Sequence, residues 1–446
     1  MEFDVFKQYL VIAFSLLLVV SIVVLIPNTS ILYKVLSVLN ASISTLFLFT
    51  YRERPYSLHK MVNLFLLFFF VIANAIQFST NTNVTTFPIT ICADDKSDYE
   101  RFQFLVLGIL LLFNLSYPFF KTHITDSVRD NQLHLSNKRL IFFSFFSLLC
   151  TVFYYRNAIL LMFVRGLSPS ADGGEMADLG GGFVGLLLFD KVIRALPFAC
   201  YVWAEHYKVQ KSIRLLLLFL MLMTLFPTAL ARNATAMYWL PVAFLAFSFM
   251  RRENVFVLTM LVGLLVIFPF LDNFRWWGGE IKWSLSFDFL NQMHFDASQN
   301  FMIIMKLKIV TWGQQLLGAL LFWFPRSLWE SKPLGSGAFV AEQYSDFTNI
   351  SMPWFAEGYL NFGFIGIILF TLFLSWFSSF FDSKYWNDQR EKKTITPYYL
   401  LLISSLLYIL RGDLMSSLAY TLATLFDIYI IYRICTISSM KEKVAS

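Results

Sequence analysis

The sequence predicts an all-α polytopic membrane protein of about twelve transmembrane helices, with one large outer loop that contains amphipathic helices. Three observations predict it. Of 446 residues, 57% are hydrophobic and only 14% are charged, against roughly 45–50% and 25% in soluble chains. Several separate apolar runs approach or exceed the ~20 residues that cross a bilayer as a helix, and their continuity excludes a barrel, the other structure that satisfies its backbone in lipid. The basic residues recur in alternate short loops, so the formal charge of +6 reads as positive-inside bias rather than nucleic-acid affinity.

The first run, Tyr9 to Ile26, is longer than the apolar region of a signal peptide, and no small-residue cleavage site follows Pro27 to Ser30, so it is expected to be retained. Spans are then expected near 31–50, 61–78, 104–120, 140–160, 183–204, 215–231, 236–250, 256–271, 353–376, 396–410 and 414–432. With the N-terminus inside, cytoplasmic loops hold Arg52, Arg54 and Lys60; Lys121, Arg129, Lys138 and Arg139; Lys208, Lys211 and Arg214; Arg251 and Arg252; and Lys384, Arg390, Lys392 and Lys393. The tail with Arg433, Lys441 and Lys443 agrees. Phe301 to Phe324 is apolar enough to pass for a further span, but Lys306, Lys308, Gln314 and Gln315 interrupt it, and a crossing there would send the basic clusters after it outside. It is therefore read as an interfacial or re-entrant helix. The expected organisation is 1–271, transmembrane helices 1–9; 272–352, the large outer loop; and 353–446, helices 10–12 and a cytoplasmic tail.

Several cations are not explained by topology. Arg156 and Arg165 flank the mouth of span five, Lys191 and Arg194 lie inside span six, and Arg232 sits in the shortest outer loop. Arg275 and Arg326 lie in the large loop, and Arg411 opens the last span. Ionisable groups at such depth are expensive unless paired or facing a wet cavity, so each is a candidate for function. For Arg194 the competing reading is neutralisation by Asp190, four residues earlier on the same helix face. A phosphate-rich substrate suits these arginines, because the planar guanidinium matches phosphate oxygens and stays charged.

Seven of the eleven tryptophans fall between Trp276 and Trp354, where they can form an interfacial belt or stack on a sugar ring. The glycine-rich run from Asp172 to Gly182 lacks the Lys-Ser/Thr ending of a phosphate loop and reads as a flexible loop or mobile lid. Asp94-Asp95-Lys96 reads as a solvated loop. No His/Cys/Asp cluster has metal-ligand spacing, so metal-dependent transfer is disfavoured and no cofactor is expected. Cys92, Cys150, Cys200 and Cys435 are scattered, which argues against a disulfide framework.

The stretch from Phe324 to Gly337, containing Pro325-Arg326 and Gly335-Ser336-Gly337, followed by Ser351-Met-Pro-Trp-Phe-Ala-Glu357-Gly and Gly363 to Gly366, resembles the Wzy-type oligosaccharide repeat-unit (O-antigen) polymerases. So does Leu410-Arg411-Gly412-Asp413 at the start of the last span. Arg326, ten residues and then Gly337 fit the spacing described for such loops, whereas the corresponding position after Arg165 is Met176. The resemblance implies a metal-independent membrane glycosyltransferase in a bacterial inner membrane, with its active site on the periplasmic side. Its substrates would be undecaprenyl-diphosphate-linked oligosaccharides, and a chain-length-regulating co-polymerase would be a partner.

That chemistry needs cationic donors to stabilise the departing diphosphate and a base to take the acceptor's proton. Arg326, Lys332, Arg411 and Arg232 are the expected cations, with Arg194, Arg165 and Asp413 as further substrate-binding residues. Glu357 is the expected base, with His294 behind it, and the competing reading of Glu357 is an ion pair with one of the arginines. Two other functions fit a chain of this kind: an O-antigen ligase, which uses the same donor, and a glycolipid flippase or transporter. Transporters often show repeated halves with midplane sites; here there is no repeat, and the ionisable groups gather at one face.

Overall fold

The computed structural model describes residues 30–51, 53–92, 96–121, 133–165, 188–267, 270–271, 273–274, 287–345, 350–387 and 392–438. The expected first span, Asp94-Asp95, the glycine-rich run 172–182, Arg275 and tryptophans 276, 277 and 283 lie outside the described residues. The described chain is helical almost throughout. Its early helices are α1 (Ile31–Phe49), α2 (Leu58–Thr80), α3 (Lys96–Ser116) and α4 (Asn137–Tyr154). Next come α5 (Leu196–His206), α6 (Lys211–Thr224), α7 (Arg232–Ala246), α8 (Glu253–Val262), α9 (Ala297–Leu307), α10 (Gln314–Leu320) and α11 (Ser336–Tyr344). The last are α12 (Trp354–Asn387), α13 (Lys392–Arg411) and α14 (Leu414–Cys435). One short antiparallel ladder pairs β1 (Leu133–Leu135) with β2 (Thr436–Ser438), with Leu133 opposite Ser438.

Five helices among the described residues are long and apolar enough to cross a membrane: α1, α2, α3 with its extension to Phe120, α12 and α14. They fall on the expected spans 31–50, 61–78, 104–120, 353–376 and 414–432. In the stretches where the spans 183–204, 215–231, 236–250 and 256–271 are expected, α5 to α8 have 11, 14, 15 and 10 residues. These are shorter than the ~20 of a straight crossing. Proline contributes: Pro197 sits in the first turn of α5, Pro227 lies between α6 and α7, and Pro241 is inside α7. Proline removes a donor and clashes with the preceding turn, so it starts or ends helices more readily than it continues them.

The chain forms two compact units. The first comprises Met1–Thr122, Ser286–Ser383 and Leu406–Ala419, and the second comprises His123–Leu285, Lys384–Ser405 and Tyr420–Ser446. Within the first unit, α2 is buried over nearly its whole length, and its middle turns, Leu66–Ile72, widen into a π-helix. Several of its polar side chains bond to neighbouring segments. Asn63 and Asn114 exchange amide hydrogen bonds at 3.0 Å in both directions; Gln103 donates to Asn74 Oδ1 at 2.9 Å; and Gln77 donates to the Leu290 and Phe295 carbonyls at 2.8 and 2.9 Å. In lipid the alternative is an unsatisfied polar group, so such bonds fix which helices are neighbours.

The ambiguous stretch 301–324 is not one helix. α9 ends at Lys308 in the left-handed conformation (φ 52°), Trp312 and Gly313 are left-handed too (φ 52° and 86°), and α10 has only seven residues. Neither helix is long enough to cross a bilayer. α9 is buried from Ala297 to Ile304, with Phe301 ringed by Phe70 and Phe102.

α12 carries a kink that its glycines permit. Gly363 takes φ 63° and ψ −147°, a conformation open essentially to glycine alone. The chain then doubles back so closely that a Cβ on Gly366 would lie 1.8 Å from the Gly358 carbonyl oxygen.

Candidate functional site

In the first unit the beginnings of three helices converge on two carboxylates. Glu357 stands in the first turn of α12, and Asp413 is the residue before α14. Glu357 is 1% exposed. One of its oxygens accepts from Ser336 Oγ, at the start of α11, at 2.7 Å; the other accepts from the Leu414 backbone N–H, at the start of α14, at 2.9 Å. Asp413 caps its own helix through Ser416 N–H (3.0 Å) and also accepts from Gly337 N–H in the first turn of α11 (2.8 Å). The first N–H groups of a helix have no partner within it and carry its positive pole, so a carboxylate is their natural acceptor. Gly335 allows the approach: a Cβ there would lie 2.8 Å from both Asp413 oxygens.

The loop before α11 is tied by its own cations. Arg326 donates to the Lys332 and Pro333 carbonyls at 2.6 and 3.0 Å, and Lys332 Nζ donates to the Phe322 and Phe324 carbonyls at 2.7 and 2.9 Å. Lys332 is buried. Burial, followed by the neighbouring Arg326 charge, pushes its ammonium below the usual lysine range. Arg326 remains exposed, while Lys332 is committed to holding the loop's shape.

Arg411 points elsewhere. Its Nη2 pairs with Asp296 Oδ1 at 3.2 Å and donates to the Met293 carbonyl at 3.2 Å, beside His294. Asp296, just ahead of α9, also accepts from Asn300 at 3.0 Å and from Ser351 Oγ. Burial pushes its carboxyl above the usual range, against the pull of Arg411. Among the described residues, Arg411 and Arg194 form ion pairs with Asp296 and Asp190, not with Glu357. Asp296 escaped the sequence reading, and Ser336 and Ser351 entered it only as parts of the motif stretches, with no role of their own. The signal for Asp296 was an acid ahead of an apolar helix, which by itself reads as a cap.

The structure thus brings Glu357, Asp413, Arg326, Lys332, Arg411 and His294 into the first unit, whereas Arg165, Arg194 and Arg232 belong to the second. Arg194 is paired with Asp190 at 2.9 Å, as the spacing suggested, and its Nε donates to the Thr224 carbonyl at 2.7 Å. The Arg165 N–H donates to the Thr228 carbonyl at 3.2 Å, and Arg232 opens α7. Of the tryptophans in the run that ends at Trp354, Trp312 and Trp323 are exposed, while Trp354, the first residue of α12, is buried and donates to the Phe370 carbonyl at 3.0 Å. Among the described residues no group of His, Cys, Asp and Glu could hold a metal ion. No family model, curated protein or solved structure matches the chain.

Proposed function

We propose that the chain polymerises undecaprenyl-diphosphate-linked oligosaccharide repeat units at the outer face of a bacterial inner membrane. One observation carries this reading. The sequence patches around Arg326–Gly337, Ser351–Gly366 and Arg411–Asp413, far apart along the chain, meet through Ser336, Glu357, Asp413 and Leu414. In the proposed topology twelve helices cross the membrane, and 272–352 forms the periplasmic loop that carries Arg326, Lys332 and Ser336.

In the reaction, a hydroxyl oxygen of the incoming repeat unit bonds to the anomeric carbon of the growing glycan. The bond from that carbon to the diphosphate oxygen breaks, and the hydroxyl proton goes to Glu357. Arg326, exposed on its loop, and Arg411, on exchanging its Asp296 pair for phosphate oxygens, are assigned to the departing diphosphate, whose charge a guanidinium fork matches. Lys332 shapes the loop that presents Arg326, and Asp413 holds α11 and α14 against Glu357. His294 lies beside the Arg411 contact.

The test is the surface glycan of a strain lacking the protein. A single repeat unit on its final acceptor is expected, because flipping and ligation continue. Full-length glycan accumulating on undecaprenyl diphosphate would identify a ligase instead, and complete loss of surface glycan would identify a flippase.

A further inference from the structure

The second unit holds a buried cationic cluster that is only partly neutralised. Arg194 is 4% and Lys191 is 9% exposed. Asp190 is the carboxylate paired with both, through Oδ1 to Arg194 at 2.9 Å and Oδ2 to Lys191 at 2.6 Å. Among the described residues these pairs leave one positive charge in excess. Removing charge from water is costly unless it is balanced, and in an intramembrane setting an unbalanced cation marks a ligand or a pathway.

Hydrogen bonding points the same way. Arg194 uses Nε on the Thr224 carbonyl and Nη1 on Asp190 and on the Tyr155 hydroxyl, the last at 3.3 Å. Its Nη2 is buried without a hydrogen-bond partner, and so is the Tyr154 hydroxyl. Tyr154 stacks on Phe189 at 4.0 Å and lies within electrostatic reach of Arg194 and Asp190. Lys191 Nζ sits 4.7 Å from the centre of the Tyr420 ring. A guanidinium can only donate, so its unused edge, together with the excess charge, calls for a ligand that brings acceptors and negative charge. Phosphate oxygens meet both needs, whereas a cation meets neither.

We infer that Arg194, Lys191, Tyr154 and Tyr155 form an anion site in the second unit that takes a phosphate-bearing group. Asp190, one-third exposed, holds the two cations in place while the buried Nη2 stays unpartnered. This site stands on its local chemistry and does not depend on the glycosyl-transfer reading.

The test uses the full chain in phosphatidylcholine nanodiscs, with inorganic diphosphate as the probe and calorimetry as the readout. Saturable binding is expected. Arg194→Lys should weaken it by about tenfold or more, because the fork is lost while the charge remains. Tyr154→Phe, which removes only one hydroxyl, should weaken it several-fold. Binding should survive in an Arg326→Ala/Arg411→Ala double variant, which separates this site from the first unit. Competition by added phosphatidylglycerol would identify the source as a lipid headgroup, and lack of competition would identify a diphosphate carried by another molecule; either supports the anion site. No saturable binding, unchanged affinity in both Arg194→Lys and Tyr154→Phe, or loss in the double variant alone would overturn it.

Discussion

Glu357 holds the starts of two other helices, so its substitutions separate structure from chemistry. Glutamine keeps an oxygen to accept from Leu414 N–H, and its amide can donate to Ser336. Glu357→Gln should therefore reach normal membrane levels while turnover falls by about 10²–10⁴, the range of general-base loss. Near-normal glycan length in that variant would remove Glu357 from the reaction. Asp296 gives a second residue-scale prediction, through pH. Its folded carboxyl titrates above the unfolded value of about 3.9. Its contribution to stability is therefore full below that value and declines as pH rises through the higher folded pKa. Asp296→Asn should flatten that part of the decline in a thermal-melt series, and an unchanged slope would reject the assignment. Asp413 was legible because its motif opens a span, whereas Asp296 was not, since its partner Arg411 lies 115 residues away and no local pattern links them.

At the scale of elements, long apolar runs were the readable part. α2 and α12 are continuous enough in sequence to announce themselves, and the lysines inside 301–324 correctly warned that this run does not cross as one helix. The left-handed turns at Lys308 and Trp312 were not readable, because neither residue type favours that conformation and tertiary context imposes it. The kink in α12 was half-readable: Gly363 and Gly366 were visible, but not that the backbone doubles back onto Gly358. Sidedness is testable on exposed positions at the two extremes of this region. In intact spheroplasts, Ser331→Cys should react with a membrane-impermeant thiol reagent, while Asn387→Cys, at the far end of α12, should not. The reverse pattern would invert the proposed topology.

At the scale of the molecule, the two units are interleaved along the chain: α13 and α14 each begin in one and end in the other. Sequence reading placed its boundaries at 271 and 352, where hydropathy changes, because composition reports solvent preference and not which helices cluster. The arginines that sequence grouped by exposure to one face are accordingly divided between the units. The carboxylates that gather α11, α12 and α14 also have a consequence for the order of manufacture. The Gly337 amide waits for an acceptor that the ribosome adds 76 residues later. The loop bearing Arg326 and the helix bearing Glu357 are thus translated well before Asp413 and Leu414 exist to close the arrangement. Closure therefore waits for Asp413 and Leu414, so a chain terminated before them has the loop and the Glu357 helix in hand and still lacks the clasp.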